Sequence, residues 1–313
     1  MIVFLVFSAI FAVTLLSVLL NKSCSNILAN KGSAGKAVYV LVTGIFACIN
    51  FWAFSGCTLE INWNCIYLSF FYAICSFLSG ISIIVYKYAD IATVNVTKSS
   101  LSLLFSTLVG FIIFDESPSV SKLVRIALML VAVFCIFLDG REQLKRSGND
   151  GSTVVDKKHG ILMFILINAM LIPVYCFGAY QNKIVASTDF VPDMNSYFFM
   201  TNVFMILFTL VWIAFLAKKD KNNVTQCISL VKSKSILPMI VLVFFGSLAA
   251  VLAVIILKYM EVSVYSPINS ALSFICAALS SVIFREKIGK FVWCSVALAI
   301  FAVVFEPVVS LII

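Results

Sequence analysis

Lys98 is the residue whose type and place most invite chemistry. It stands in the run VNVTKSSLSLL, about two turns into a segment long enough to cross a bilayer. A charge at that depth costs on the order of 2.5–3.5 kcal/mol on insertion scales, and an ionisable side chain kept there reads by default as functional. An ammonium in such a place binds a carboxylate or phosphate at short range. Proton coupling through the same lysine is a further option. The structural alternatives are snorkelling to the nearer interface, roughly 10 Å away at 1.5 Å per residue, or pairing with an acid elsewhere.

Other polar residues gather at related places. Thr97, Ser99 and Ser100 surround Lys98 with hydroxyls, and Asn95 shares its helical face. Asn95 by itself reads as interhelical glue, worth about 0.6 kcal/mol. Asn168 and Tyr175 lie deep in a segment that also holds Pro173, which kinks a helix and frees a backbone carbonyl. Tyr180 and Gln181 lie near that segment's end and read as interfacial belt residues. Asn269 and Ser270 occupy a second apolar segment opened by Pro267. The candidate substrate-binding set is therefore Lys98, Asn269, Asn168, Tyr175, Asn95 and Ser270.

No catalytic or metal-ligating set accompanies them. His159 is the only histidine and falls in a link between segments. The ten cysteines form no CxxC pair and no zinc spacing, and most lie in apolar runs, where cysteine acts as a small hydrophobe. Cys57 and Cys65 flank one short loop and are the one candidate pair. Asp90, Asp115, Glu116, Asp139, Glu261 and Glu286 all stand at segment ends, and Glu306 reads as an interfacial acid before a proline. There is no GxxxxGK[ST] phosphate loop. These residues point to no enzyme, no cofactor and no metal.

The elements that must position these residues follow from composition. Of 313 residues, 62% are hydrophobic and only 12% charged, and mean hydropathy is +1.11. A soluble fold cannot hide that much apolar side chain, so the lipid bilayer is the solvent. This excludes a soluble enzyme, a nucleic-acid binder and a disordered chain. At about 20 apolar residues per crossing, spans fall near 2–21, 37–56, 64–86, 92–114, 120–138, 159–182, 195–217, 236–257, 262–284 and 289–311. The N-terminal span lacks a basic leader and a convincing cleavage site, and reads as a retained helix. The long polar links are 139–158, with the flexible SGNDGS stretch, and 218–235.

The first long link divides the chain into related halves. KYADIATV at Lys87–Val94 resembles KYMEVSVY at Lys258–Tyr265, at an offset of 171, which pairs Lys98 with Asn269. Phe114-Asp115-Glu116 mirrors Phe284-Arg285-Glu286, and Tyr39 and Thr43 weakly match Tyr197 and Thr201. Five spans per half is odd, so the second half enters the membrane from the opposite side. The expected fold is an all-α integral membrane protein: ten transmembrane helices as two inverted five-helix repeats, at 1–140 and 158–313, joined by a cytoplasmic linker at 141–157. Inverted repeats build many secondary transporters, with the site near mid-membrane where the halves meet.

Ten spans as five plus five, with a Glu just beyond spans four and nine, resemble the drug/metabolite transporter superfamily, EamA type. The likeness covers essentially the whole chain. The family's usual Gly-Glu stands here as Asp115-Glu116 and Arg285-Glu286. The resemblance implies a secondary transporter, most often an exporter of small metabolites such as amino acids, with a cavity lined by helices 1, 3, 4, 6, 8 and 9. Small multidrug exporters of the superfamily use a Glu in the first span. Span one here has Thr14 and Ser17 instead, which argues against that cationic-drug chemistry.

Charge sorts the links. Seventeen Lys and Arg lie on the side reached after odd spans, against Lys122, Arg125, Lys183 and Lys258 on the other. The positive-inside rule places the odd links in the cytoplasm and both termini outside, where the family's termini usually face the cytoplasm. The expected protein is a carrier in the plasma or inner membrane, working by alternating access on a small-molecule substrate with a carboxylate. Export is favoured. The rival substrates are a sugar phosphate or nucleotide sugar in exchange, or a cationic drug. No nucleic-acid partner is expected, and a homodimer is compatible with this organisation.

Overall fold

The computed structural model describes residues 9, 12–17, 19–20, 24, 32–81, 91–117, 119–147, 162, 165–166, 168–187, 190–219, 225, 236–259, 261–283 and 289–312. Among these the regular structure is helical throughout. That is what lipid demands, because a helix satisfies its backbone groups within one segment. The helical residues 12–17 form α1. The others are α2 (Gly32–Phe54), α3 (Trp63–Ile81), α4 (Ile91–Ile113), α5 (Val120–Ser147), α6 (Ile172–Ser187), α7 (Met194–Lys219), α8 (Ile236–Leu257), α9 (Val262–Ile283) and α10 (Lys290–Ile312). Each falls on one expected span. Within α2, α7 and α8, stretches of 20, 25 and 22 residues are by themselves long and apolar enough to cross a membrane. Large apolar side chains such as Leu207, Leu210, Val211 and Phe215 of α7 lie exposed, as a lipid-facing helix requires.

Local chemistry starts α3, α5 and α7. Asn62 Oδ1 accepts the amide of Cys65 at 2.7 Å ahead of α3. Ser119 Oγ accepts the amide of Lys122 at 3.3 Å ahead of α5. Asp193 Oδ2 accepts the amide of Ser196 at 2.8 Å ahead of α7. Each is a side chain that satisfies an orphan donor of the helix it opens. α5 runs past the expected end of its span, to Ser147, because REQLKRS is rich in good helix formers.

Span six is interrupted near Pro173. Residues 165–166 and 168–170 are helical, Leu171 is a turn, and α6 begins at Ile172. The Leu171 amide donates to Asn168 O (3.1 Å) and the Tyr175 amide to Leu171 O (3.1 Å). Pro173 has no N–H to offer the preceding turn.

The chain packs as two compact units, Met1–Ile83 with Gln181–Tyr259, and Ile84–Tyr180 with Met260–Ile313. Each unit draws on both halves of the sequence. In the first unit α2 packs against α7 and α8, and α3 against α7. Phe51 stacks on Phe198 (4.9 Å) and Tyr72 on Tyr197 (6.2 Å). A Cβ on Gly44 of α2 would lie 3.0 Å from Ile206 Cγ1, so the missing side chain lets α7 approach. Asn50 donates to Ser247 Oγ at 3.3 Å and joins α2 to α8. In the second unit α4 packs against α9, α5 against α10, and α4 and α9 against α5 and α10 respectively. The Ser295 hydroxyl donates to Ala132 O at 3.0 Å between α10 and α5.

The cysteines behave largely as small hydrophobes: Cys24, Cys48, Cys65, Cys135 and Cys276 are buried. The expected pair does not form. Cys57 is exposed at a left-handed turn (φ 65°), whereas Cys65 is buried in the first turns of α3. The Lys87–Asp90 portion of the repeat motif, His159, Phe284–Glu286 and the side chain of Glu306 lie outside the described residues.

Candidate functional site

Five of the six candidate residues have described side chains, and all six belong to the second unit. Lys98 is the eighth residue of α4, and Asn269 is the eighth residue of α9. α4 and α9 pack against each other. Each polar residue is thus about 10 Å along the axis from the start of its own helix, at 1.5 Å per residue. Lys98 and Asn269 are half-buried, and Thr97 and Ser270 are buried. Ser273 donates back to the Asn269 carbonyl at 3.0 Å. Asn95 lies in α4, with its side chain outside the described set.

Asn168 and Tyr175 flank the break in span six. Asn168 is buried, and its carbonyl holds the turn at Leu171. Tyr175 is half-buried on the first turn of α6. The break therefore presents both residues where the helix is interrupted, as in transporters built on discontinuous helices.

A cluster at the α4–α5 and α8–α9 links was legible only as acids at segment ends. Asp115 takes a left-handed φ of 50°, and the Glu116 amide returns to Gly110 O at 3.2 Å. The Glu116 carboxylate then accepts the amides of Val262 (3.0 Å) and Ser263 (3.1 Å), the first two residues of α9. So α9, unlike α3, α5 and α7, is capped from another link. Gly110 makes the room, since a Cβ there would sit 2.7 Å from Glu116 Oε2. Glu261, which precedes α9, has its carboxylate engaged otherwise. Buried Lys122 donates to Glu261 Oε2 at 2.8 Å and to Ser117 O at 3.1 Å. The signal for this device was the Asp-Glu after span four. The first position needs the left-handed region that glycine enters freely and aspartate tolerates. The second position supplies the cap.

Three of the four cations on the less basic side have described side chains. Lys122 is bound as above, and Lys183 donates to Leu257 O at 3.2 Å. Lys258 is exposed. Two of the three thus serve as packing groups.

The belt expectation fails for Gln181, which is fully buried in the first unit. Tyr180 is half-buried and stacks on Phe114 at 6.1 Å. The helix continues to Ser187, past the expected end of span six at 182, so Gln181 lies within α6 rather than at its end. No cluster of three or more potential metal ligands occurs among the described residues.

Residues 162–305 match the EamA-like transporter family. This family is part of the drug/metabolite transporter superfamily. The matched stretch starts before the break in span six and ends within α10, so it takes in α6 to α9 and the Asn269–Ser270 pair. No curated protein matches the chain. The matched family and the long apolar helices point to an integral membrane protein of transporter type.

Proposed function

We propose that the protein is a secondary transporter that moves a small metabolite with a carboxylate, such as an amino acid, by alternating access. Lys98 holds the acid group. Asn269, Ser270, Asn168 and Tyr175 supply hydrogen bonds, and Asn95 lies on the same face of α4. Export is the favoured direction, across the plasma or inner membrane. The carrying observation is that all six residues, separated by up to 175 positions, fall in one packing unit, with Lys98 and Asn269 at the same step of two packed helices.

The inverted repeat is part of this reading, and helix packing supports it. Renumber each helix as its counterpart five places away, and most of the contacts map onto one another. The α2–α7, α4–α9 and α5–α10 pairs return to themselves, α3–α7 becomes α8–α2, and α4–α5 becomes α9–α10. The exchange acts within each unit. A thermal-shift screen of the purified protein tests the site, because a ligand that binds the native state raises its melting temperature. Amino and organic acids are expected to stabilise the unaltered chain and to leave Lys98→Ala unchanged. If only cationic dyes stabilise both proteins equally, the site assignment is wrong and the multidrug reading replaces it. If sugar phosphates alone stabilise, the exchanger reading does.

A further inference from the structure

Two thiols meet inside the second unit. Cys135 of α5 and Cys294 of α10 are hydrogen-bond partners. Packing sets the contact. α5 and α10 lie against each other, and Ser295, next to Cys294, donates its hydroxyl to the carbonyl of Ala132, one turn before Cys135, at 3.0 Å. Both cysteines are free, but Cys135 is buried and Cys294 is exposed. A buried cysteine is explained as a small hydrophobe. That does not explain an exposed one set against a second thiol, and a thiol is too weak a donor to add much glue. Both stand near a helix end. Cys135 comes four residues before Asp139 and Cys294 four residues after Lys290, about 6 Å along each helix at 1.5 Å per residue. Trp293, beside Cys294, is 47% exposed and is of the type that marks the membrane–water boundary. A small neutral oxidant therefore reaches Cys294 from that boundary.

We propose that Cys135 and Cys294 form a reversible redox site, at which a peroxide joins the two thiols in a disulfide and a dithiol reopens it. Cys294, as its thiolate, attacks one oxygen of hydrogen peroxide. The O–O bond breaks, the sulfur becomes a sulfenic acid, and the second oxygen leaves as water with the proton the thiol released. The Cys135 sulfur then attacks the sulfenic sulfur. The S–S bond forms, the S–O bond breaks, and the hydroxyl leaves as a second water with the Cys135 proton. In total two electrons pass from the thiols to the peroxide. Reduction runs through a mixed disulfide and leaves the dithiol oxidised. The bond closes a ring of packed helices, because α5 lies on α4, α10 on α9, and α4 on α9. It thereby clamps the two helices that carry Lys98 and Asn269. On the reading that the odd links face the cytoplasm, this end of both helices lies where thiols are kept reduced and a disulfide acts as a transient signal. The site does not depend on which solute the protein carries.

The test uses the full chain in liposomes. Hydrogen peroxide is raised until exposed Cys57 is oxidised, remaining thiols are blocked with N-ethylmaleimide, and unreduced peptides are mapped by mass spectrometry. The peptides holding Cys135 and Cys294 are expected to be recovered joined in most molecules, and to part again when the liposomes are treated with dithiothreitol. The oxidised chain should also melt higher than the reduced one. Cys294→Ser, a change at an exposed position, should lose both the joined peptide and the rise in melting temperature. Cys135→Ser leaves the attacking thiol without its partner and should accumulate a sulfenic acid at Cys294 that dimedone traps. Maleimide on both Cys135 and Cys294 of the unaltered chain after peroxide overturns the proposal. So does Cys294 carried on to a sulfinic acid while Cys135 stays free, because the second thiol then fails to close the bond. A rise in melting temperature that survives in Cys294→Ser places the effect of oxidation elsewhere and overturns the clamp.

Discussion

Alanine at position 110 should destabilise this protein, although alanine normally gains about 1 kcal/mol over glycine inside a helix. The new Cβ would stand 2.7 Å from Glu116 Oε2 and 3.1 Å from its Cδ. The carboxylate is the end of a flexible side chain, so it swings away before the backbone moves. It then releases the amides of Val262 and Ser263, which it holds at 3.0 and 3.1 Å. Bonds to a charged acceptor are worth about 1.5–3 kcal/mol each when buried, and a lost helix cap costs about 0.5–2 kcal/mol. These figures describe the same bonds and are not summed. Glu116 is half-buried, so water replaces part of the loss, and about 2–3 kcal/mol is a fair cost for the pair. Set against the propensity gain, the net change is a loss of about 1–2 kcal/mol. The assay is unfolding of the purified protein in detergent, run as a double-mutant cycle with Glu116→Ala. Without the carboxylate, Gly110→Ala should become stabilising by about 1 kcal/mol. If Gly110→Ala stabilises both backgrounds by the same amount, the two residues are uncoupled and the cap does not depend on the missing side chain.

Asp115→Gly should stabilise by about 0.5–1 kcal/mol in the same unfolding assay, because φ of 50° suits glycine better than aspartate. Breaking the Lys122–Glu261 pair should be asymmetric. Glu261→Gln strands an ammonium whose side chain is 6% exposed, whereas Lys122→Met frees a carboxylate that is 53% exposed. The glutamine variant should therefore be the less stable by at least about 1 kcal/mol, and equal melting temperatures would remove the argument from burial. Topology is open to a thiol test on intact cells. Cys57 is exposed in the link after α2 and should react with a membrane-impermeant maleimide if the even links face outward. Cys24 is fully buried, and burial pushes its thiol up to about 11. Only about one part in ten thousand is thiolate at pH 7, so Cys24 should stay unlabelled in detergent until the pH is raised.

Much of the fold was legible because lipid simplifies the problem. Apolar runs of about 20 residues can do little else than form crossing helices, and each described helix falls on an expected span. Pro173 announced the break at Leu171 through the bond it cannot make. Lys98 was conspicuous because charge is rare at that depth. Gln181 was not conspicuous. It stands where an apolar stretch gives way to Asn182 and Lys183, and a window count cannot tell a belt residue from one turned inward. Glu116 was visible as an acid at a span end, but its partners lie about 146 residues away.

The chain's own residues determined its solvent, the number and order of its expected spans, the side expected to carry its charge, and the likeness between its halves. Each follows from local transfer energies and spacing, which need no knowledge of neighbours. Tertiary structure decided which helices meet. It gathered the candidate residues of both halves into one unit, placed the Glu116 carboxylate on α9 through the space left by Gly110, and turned Gln181 into the interior. Those outcomes depend on contacts between segments distant along the chain. In a bilayer, helices associate through packing and a few hydrogen bonds rather than through a hydrophobic drive. The apolar surfaces of such helices look alike in sequence, and only their fit selects the partner.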